Sequence, residues 1–217
     1  MALNTLPAGA FADDAITSDK INLANTFAFT GTVTGTSDMV KIATTTVSSN
    51  VSSVDFETLS TDYNNFIVHI GGVEPSSNGQ TLSCRLKLGG SYRDGSGDYS
   101  NSRQRIYQTG GSTWTDSANG FTGTGGVTTM GINSSGNGYV ETGTNTQVMF
   151  KDVHSTTKGK SFCSMSWGAT DNQNSHQQMC GATYTGTSRL TAVQGIRFYF
   201  GSGNVAKGTF TLYGVKA

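Results

Sequence analysis

Six residues in the middle of the chain have the types that bind ligands: Tyr92, Arg93, Tyr99, Arg103, Trp114 and Asp116, set among Gly, Ser and Asn. Flat Tyr and Trp rings stack on the apolar faces of sugars while Arg and Asp bond hydroxyls. The same residue types anchor protein interfaces. The stretch is irregular, and loops carry binding function more often than the elements they join. An equally weighted reading makes Tyr107 and Trp114 core or subunit-contact residues.

Catalytic chemistry finds less support. His69, His154 and His176 are far apart in sequence, and neither H-E-x-x-H nor C-x-x-C is present, so no metal site is expected. His69 lies within Phe66–Val73 and reads as a satisfied sandwich residue rather than a base. No G-x-S-x-G nucleophile elbow occurs, and the Gly-rich stretches lack a phosphate-cradling context. Glu57, Glu74 and Glu141 are scattered, which gives no carboxylate pair for glycoside hydrolysis. Asp94-Gly95-Ser96-Gly97-Asp98 matches the first half of a calcium loop. Gln104 and Arg105 stand where the distal bidentate Glu belongs, so a turn is expected there. The reading is a non-enzyme with no cofactor and no metal. Cys84 alternates with Leu82, Leu86 and Leu88 and is expected in the core. Cys163 and Cys180 can pair only if adjacent strands bring them together.

The elements that must position these residues are strands. Charged residues make up 13% of the 217 and hydrophobic residues 35%, both low, with Gly, Ser, Thr and Asn filling the difference. Formal net charge is zero and no basic stripe is present, which speaks against nucleic acid as a partner. No apolar run is long enough to cross a bilayer, so membrane insertion is not expected. The N-terminus has no basic region followed by an apolar stretch, and the expectation is a cytosolic origin. Strands are predicted at 39–47, 51–56, 66–73, 81–88, 102–108, 127–132, 139–141, 146–153, 160–167, 179–184, 195–200 and 208–215, with no sustained helical period in the body. The predicted fold is all-β, an antiparallel β-sandwich, jelly-roll-like, over residues 38–217. The last two strands are predicted to form a hairpin around Gly201–Asn204, with Phe198, Phe210 and Leu212 in the core. Residues 1–37 are predicted to be an extended arm. Its sparse apolar residues Leu6, Phe11, Ile16, Ile21, Leu23, Phe27 and Phe29 are candidate anchors.

Within that arm, Asp13-Asp14-Ala15-Ile16-Thr17-Ser18-Asp19-Lys20-Ile21 resembles the repeats of phage tail-fibre stalks. The segments 51–56, 63–68 and 82–86, and the ending Gly195-Ile196-Arg197-Phe198-Tyr199-Phe200…Gly208-Thr209-Phe210-Thr211-Leu212-Tyr213-Gly214-Val215-Lys216, are similar to virion proteins of tailed bacteriophages. The resemblance brackets most of the chain but leaves 89–141 unmatched. It implies a β-sandwich displayed on a virion, often as a homotrimer. The arm would then bind other virion proteins, of capsid or tail, after synthesis in the host cytoplasm. It also implies particle stabilisation or attachment to a host surface glycan, and it transfers no catalytic residue. A free carbohydrate-binding module or lectin is the alternative.

Overall fold

The computed structural model describes residues 38–109, 113–117, 130–131, 143–169 and 175–216. The arm residues Leu6, Phe11, Ile16, Ile21, Leu23, Phe27 and Phe29, and the strand predicted at 139–141, lie outside the described residues.

Among the described residues every element is a strand. In chain order these are β1 (Met39–Val47), β2 (Val54–Phe56), β3 (Asn65–Pro75), β4 (Leu82–Leu88), β5 (Ser91–Tyr92), β6 (Tyr99–Thr109), β7 (Thr113–Ser117), β8 (Met130–Gly131), β9 (Thr144–Lys151), β10 (Ser161–Ala169), β11 (Ser175–Tyr184), β12 (Gly195–Phe200) and β13 (Val205–Val215). They form two antiparallel sheets. One has eight strands in the order β1-β13-β3-β9-β10-β11-β6-β7. The other has the order β2-β12-β4-β5, with β8 also paired to β4.

The pairing is nested. β1 pairs with β13, β2 with β12, β3 with β9 and β4 with β5. Successive pairs alternate between the sheets, which is the wrapping of a jelly roll. β10, β11, β6 and β7 then prolong the larger sheet beyond β9.

Alternation along the strands builds the core. In β13, Phe210 and Leu212 are buried while Thr209, Thr211 and Tyr213 are half-buried. Phe198 on β12 faces across the sandwich and meets the rings of Phe56, Phe150 and Phe210 at centroid distances of 6.3, 6.5 and 5.7 Å. Each such side chain contributes roughly 1.5–3 kcal/mol by leaving water. Cys84 is fully buried among them, as the alternation predicts.

Two details depart from the sequence reading. β12 and β13 belong to different sheets, so Gly201–Asn204 carries the chain across the sandwich and does not close a hairpin. Phe198 and Phe210 still meet, but across the core. Trp114, which looks isolated in the sequence, sits on β7, antiparallel to β6 with Gln108 as its partner. The register of β13 shifts around Lys207, and Gly208 there has φ +141°. A Cβ at Gly208 would lie 2.9 Å from Val73 Cα, so the bend admits only glycine without displacing β3.

Candidate functional site

The sandwich turns two faces outward, and they differ in chemistry. On the five-stranded sheet, Arg197 of β12 forks onto Asp55 of β2, with Nη2 donating to Oδ2 at 2.6 Å and Nε to Oδ1 at 2.9 Å. The Arg197 guanidinium also lies 4.0 Å from the Tyr92 ring centroid. Lys87 pairs with Glu57, and Arg85 sits 4.8 Å over the Tyr199 ring while pairing with Asp94 at 3.6 Å. Donating to the Asp55 carboxylate holds the Arg197 proton more firmly than usual. Burial, and then the neighbouring Asp55 and Glu57 carboxylates, push the Tyr92 phenol well above its ordinary range. The face is a lattice of matched charges and stacked rings.

The larger sheet is different across β3, β9, β10, β11 and β6. Cross-strand registers place Ile67, Met149, Cys163 and Gly181 in one row. Gln147, Met165, Met179 and Gln104 form the next, and Asn145, Trp167 and Gln177 a third. Met149, Met165, Trp167 and Met179 are 46%, 51%, 47% and 52% exposed. On the inner side Met165 and Trp167 are flanked by buried Ser164 and Ser166 and Met179 by buried Gln178 and Cys180, with buried Thr146 opposite Ser166 on β9, whereas Met149 is flanked by buried Val148 and Phe150. Thr146 Oγ1 donates to Ser166 Oγ at 3.1 Å, which satisfies part of that polarity indoors. Over Ser164–Trp167 of β10 and Gln178–Met179 of β11 the usual order is inverted, with polar residues inside and Met and Trp outside. Three hollows cross the face. One of about 310 Å³ is walled by Met165, Trp167, Gln177, Met179 and Gln104. A second, of about 330 Å³, adjoins Cys163 and Met179. The third, of about 470 Å³, is lined by Ile67, Met149, Cys163 and Val215 among others.

Of the six residues that the sequence suggests for a ligand surface, Tyr92, Arg93 and Tyr99 have described side chains, and these three take different roles. Tyr99 is wholly buried. Its hydroxyl accepts from Leu86 N at 3.0 Å and donates to Arg93 O at 3.1 Å, and its ring meets Tyr184 edge-on at 5.4 Å. It is a core residue, and burial raises its phenol far above the usual range. Arg93 Nη2 donates to Leu88 O at 2.7 Å, fastening the β4–β5 corner. Tyr92 belongs to the charged lattice of the smaller sheet. Arg103 lies on β6 and Trp114 and Asp116 on β7, while their side chains lie outside the described residues.

His69 is exposed on the outer face of β3, its ring 5.4 Å from that of Tyr213, and so is not a buried sandwich residue. His154 Nε2 lies 3.0 Å from Ser60 O. His176 sits on β11. Asp94–Asp98 is a turn: Asp98 Oδ2 accepts from Gly95 N at 2.8 Å, and Gly97 has φ +88°. Cys163 and Cys180 sit on adjacent strands with opposite facing, Cys163 half-buried toward the outside and Cys180 buried inside, so they stay free thiols. Among the described residues no group of His, Cys, Asp and Glu is arranged to hold a metal ion.

Missed by the sequence reading was the Met and Trp face. The signal was present as alternation in Ser164-Met165-Ser166-Trp167 and Gln178-Met179-Cys180, but alternation does not say which side is inside. Fold and site together describe a jelly-roll-like sandwich with one charge-matched face and one on which exposed Met and Trp side chains stand among amides, with Lys151 at the margin. Compared with known proteins, the chain matches no family model, no curated protein and no solved structure.

Proposed function

We propose that this chain is a structural protein of a tailed-phage virion. It is a short fibre or spike, anchored to capsid or tail by residues 1–37 and displaying the sandwich as a homotrimer to stabilise the particle or touch the host surface. The observation that carries the reading is the uncharged Met149–Met165–Trp167–Met179 face, since Met and Trp are enriched and charges depleted where subunits meet. The resemblance of the arm and of the ending to virion proteins supports it. In this reading the chain does no catalysis and uses no cofactor, nucleic acid or membrane. An antibody to the sandwich is expected to label purified tailed particles, and a chain lacking residues 1–37 is expected not to sediment with them. Absence of the full chain from such particles overturns the reading.

A second reading, a carbohydrate-binding module or lectin, draws on one observation. The hollow beside Trp167 joins an exposed indole to the amides of Gln177 and Gln104, which suits a neutral sugar ring. Retention of the monomeric chain on immobilised glycan, lost in Trp167→Ala, would establish it.

A further inference from the structure

We infer that Cys163, Met165 and Met179 form a binding site for a soft monovalent metal ion, of the class of Cu(I), over the hollow beside Gly181 on the outer face of β10 and β11. The site goes beyond the virion reading and belongs to the single chain.

Strand pairing brings the sulfur side chains together. Cys163 and Met165 are two residues apart on β10 and so share a face. Met179 of β11 is the direct cross-strand partner of Met165, and Gly181 is that of Cys163. Direct partners have Cβ atoms about 4.5–5.5 Å apart and diagonal ones about 7–8 Å, so Met179 neighbours both β10 residues. Gly181 has no side chain, and the hollow of about 330 Å³ lies there, with Cys163, Met179 and Gln104 among its walls. Met165 borders the adjoining hollow of about 310 Å³, which Met179 and Gln104 share. Met165 and Met179 are 51% and 52% exposed and Cys163 is half-buried, so an ion arrives from solvent without opening the core. An unbranched Met side chain swings its sulfur toward the thiol without moving the backbone.

Softness and charge select the ion. Thioether and thiolate sulfurs prefer soft ions such as Cu(I), whereas carboxylates, carbonyls and water suit Mg and Ca. Among the described residues the cross-strand neighbours of the cluster carry no carboxylate: they are Met149 and Gln147 on β9 and Ser102 and Gln104 on β6. His69 lies beyond Gln147, two strands from Met165, and Lys151 is at the margin. Binding forms a bond from the Cys163 sulfur to the metal while the thiol proton leaves to solvent. The thiolate then cancels a single positive charge, and the filled site is neutral. Zn(II) would keep an uncompensated charge here and would lack the further Cys or His ligands that complete its usual tetrahedron. Cys84 and Cys180 are buried and take no part.

The test titrates the full chain, reduced and free of oxygen, with Cu(I) supplied as its bicinchoninate complex, whose colour fades as the chain takes the ion. Wild type is expected to take up one Cu(I) per chain and to release one proton with it. Cys163→Ser is expected to lose the uptake. Met165→Leu and Met179→Leu nearly conserve side-chain volume and are each expected to weaken affinity about tenfold or more, a cost that even groups behind a metal's ligands carry. Met39→Leu, on β1, is expected to change nothing. Circular dichroism checks that every variant is folded. Zn(II) is expected to bind far more weakly than Cu(I). No uptake by wild type overturns the site, as does uptake that survives Cys163→Ser or Zn(II) binding as tight as Cu(I). Uptake lost in Cys163→Ser but indifferent to both methionine changes overturns the cluster and leaves a lone thiol.

Discussion

The outer face of the smaller sheet carries Asp55, Glu57, Arg85, Lys87 and Arg197 in matched contacts, whereas the corresponding face over β9–β11 carries Met149, Met165, Trp167 and Met179 with Lys151 at its margin. Both rest on the same core, yet one is finished as a solvent surface and the other is not. The charged face satisfies itself: each cation has a carboxylate or a ring. The apolar face leaves its largest side chains in water and places hydroxyls and an amide in the interior beneath them. In the proposed function the finished face of the sandwich is the displayed one and the unfinished face the one that meets a partner.

Expected consequences run from the shared core to the faces themselves. Phe198→Ala removes the ring that Phe56, Phe150 and Phe210 pack against and should cost about 3–5 kcal/mol, undoing both faces at once. Urea unfolding measures it, and a loss under ~1 kcal/mol would mean that the faces do not share this core.

Next comes alkaline pH. Burial raises the Tyr99 and Tyr92 phenols in the fold, so their stabilisation is complete below the unfolded value of about 10 and is lost as pH climbs beyond it. The melting temperature should fall above that pH, and Tyr92→Phe should blunt the part that belongs to the charged face. An unchanged slope in Tyr92→Phe would contradict the placement of Tyr92 in that lattice.

Asp55→Ala strips Arg197 of its fork and should cost about 1 kcal/mol, discounted because the pair is partly exposed, with little change in solution mass. Smallest in stability is Met165→Ser, expected within about 0.5 kcal/mol of wild type as a monomer, while trimer formation weakens. If Asp55→Ala changed the mass and Met165→Ser did not, the roles of the two faces would be reversed.

Much of the fold is legible in the residues. Leu82, Cys84, Leu86 and Leu88 alternate cleanly and are buried, and Gly195–Phe200 is a strand at the predicted bounds. What is not legible follows from geometry that spacing does not encode. A turn at Gly201–Asn204 looks the same whether its strands pair or cross between sheets. Tyr99 looks like a loop aromatic, because the bonds that draw its hydroxyl inside come from Leu86 and Arg93, which only the folded corner brings near. Met165 and Met179 alternate with polar residues as core residues would. Only the strand pairing with β9 and β6 shows that the polar side is the inner one.

The measurement that tests the two-face account most directly is oxidative footprinting of the full chain with dilute hydrogen peroxide, read at each methionine by mass spectrometry. Met39, Met149, Met165 and Met179 are 43–52% exposed in the single chain and would oxidise at similar rates if nothing covered them. The account predicts Met149, Met165 and Met179 several-fold slower than Met39 at high protein concentration, with the gap closing on dilution. Equal rates for all four at every concentration would contradict it.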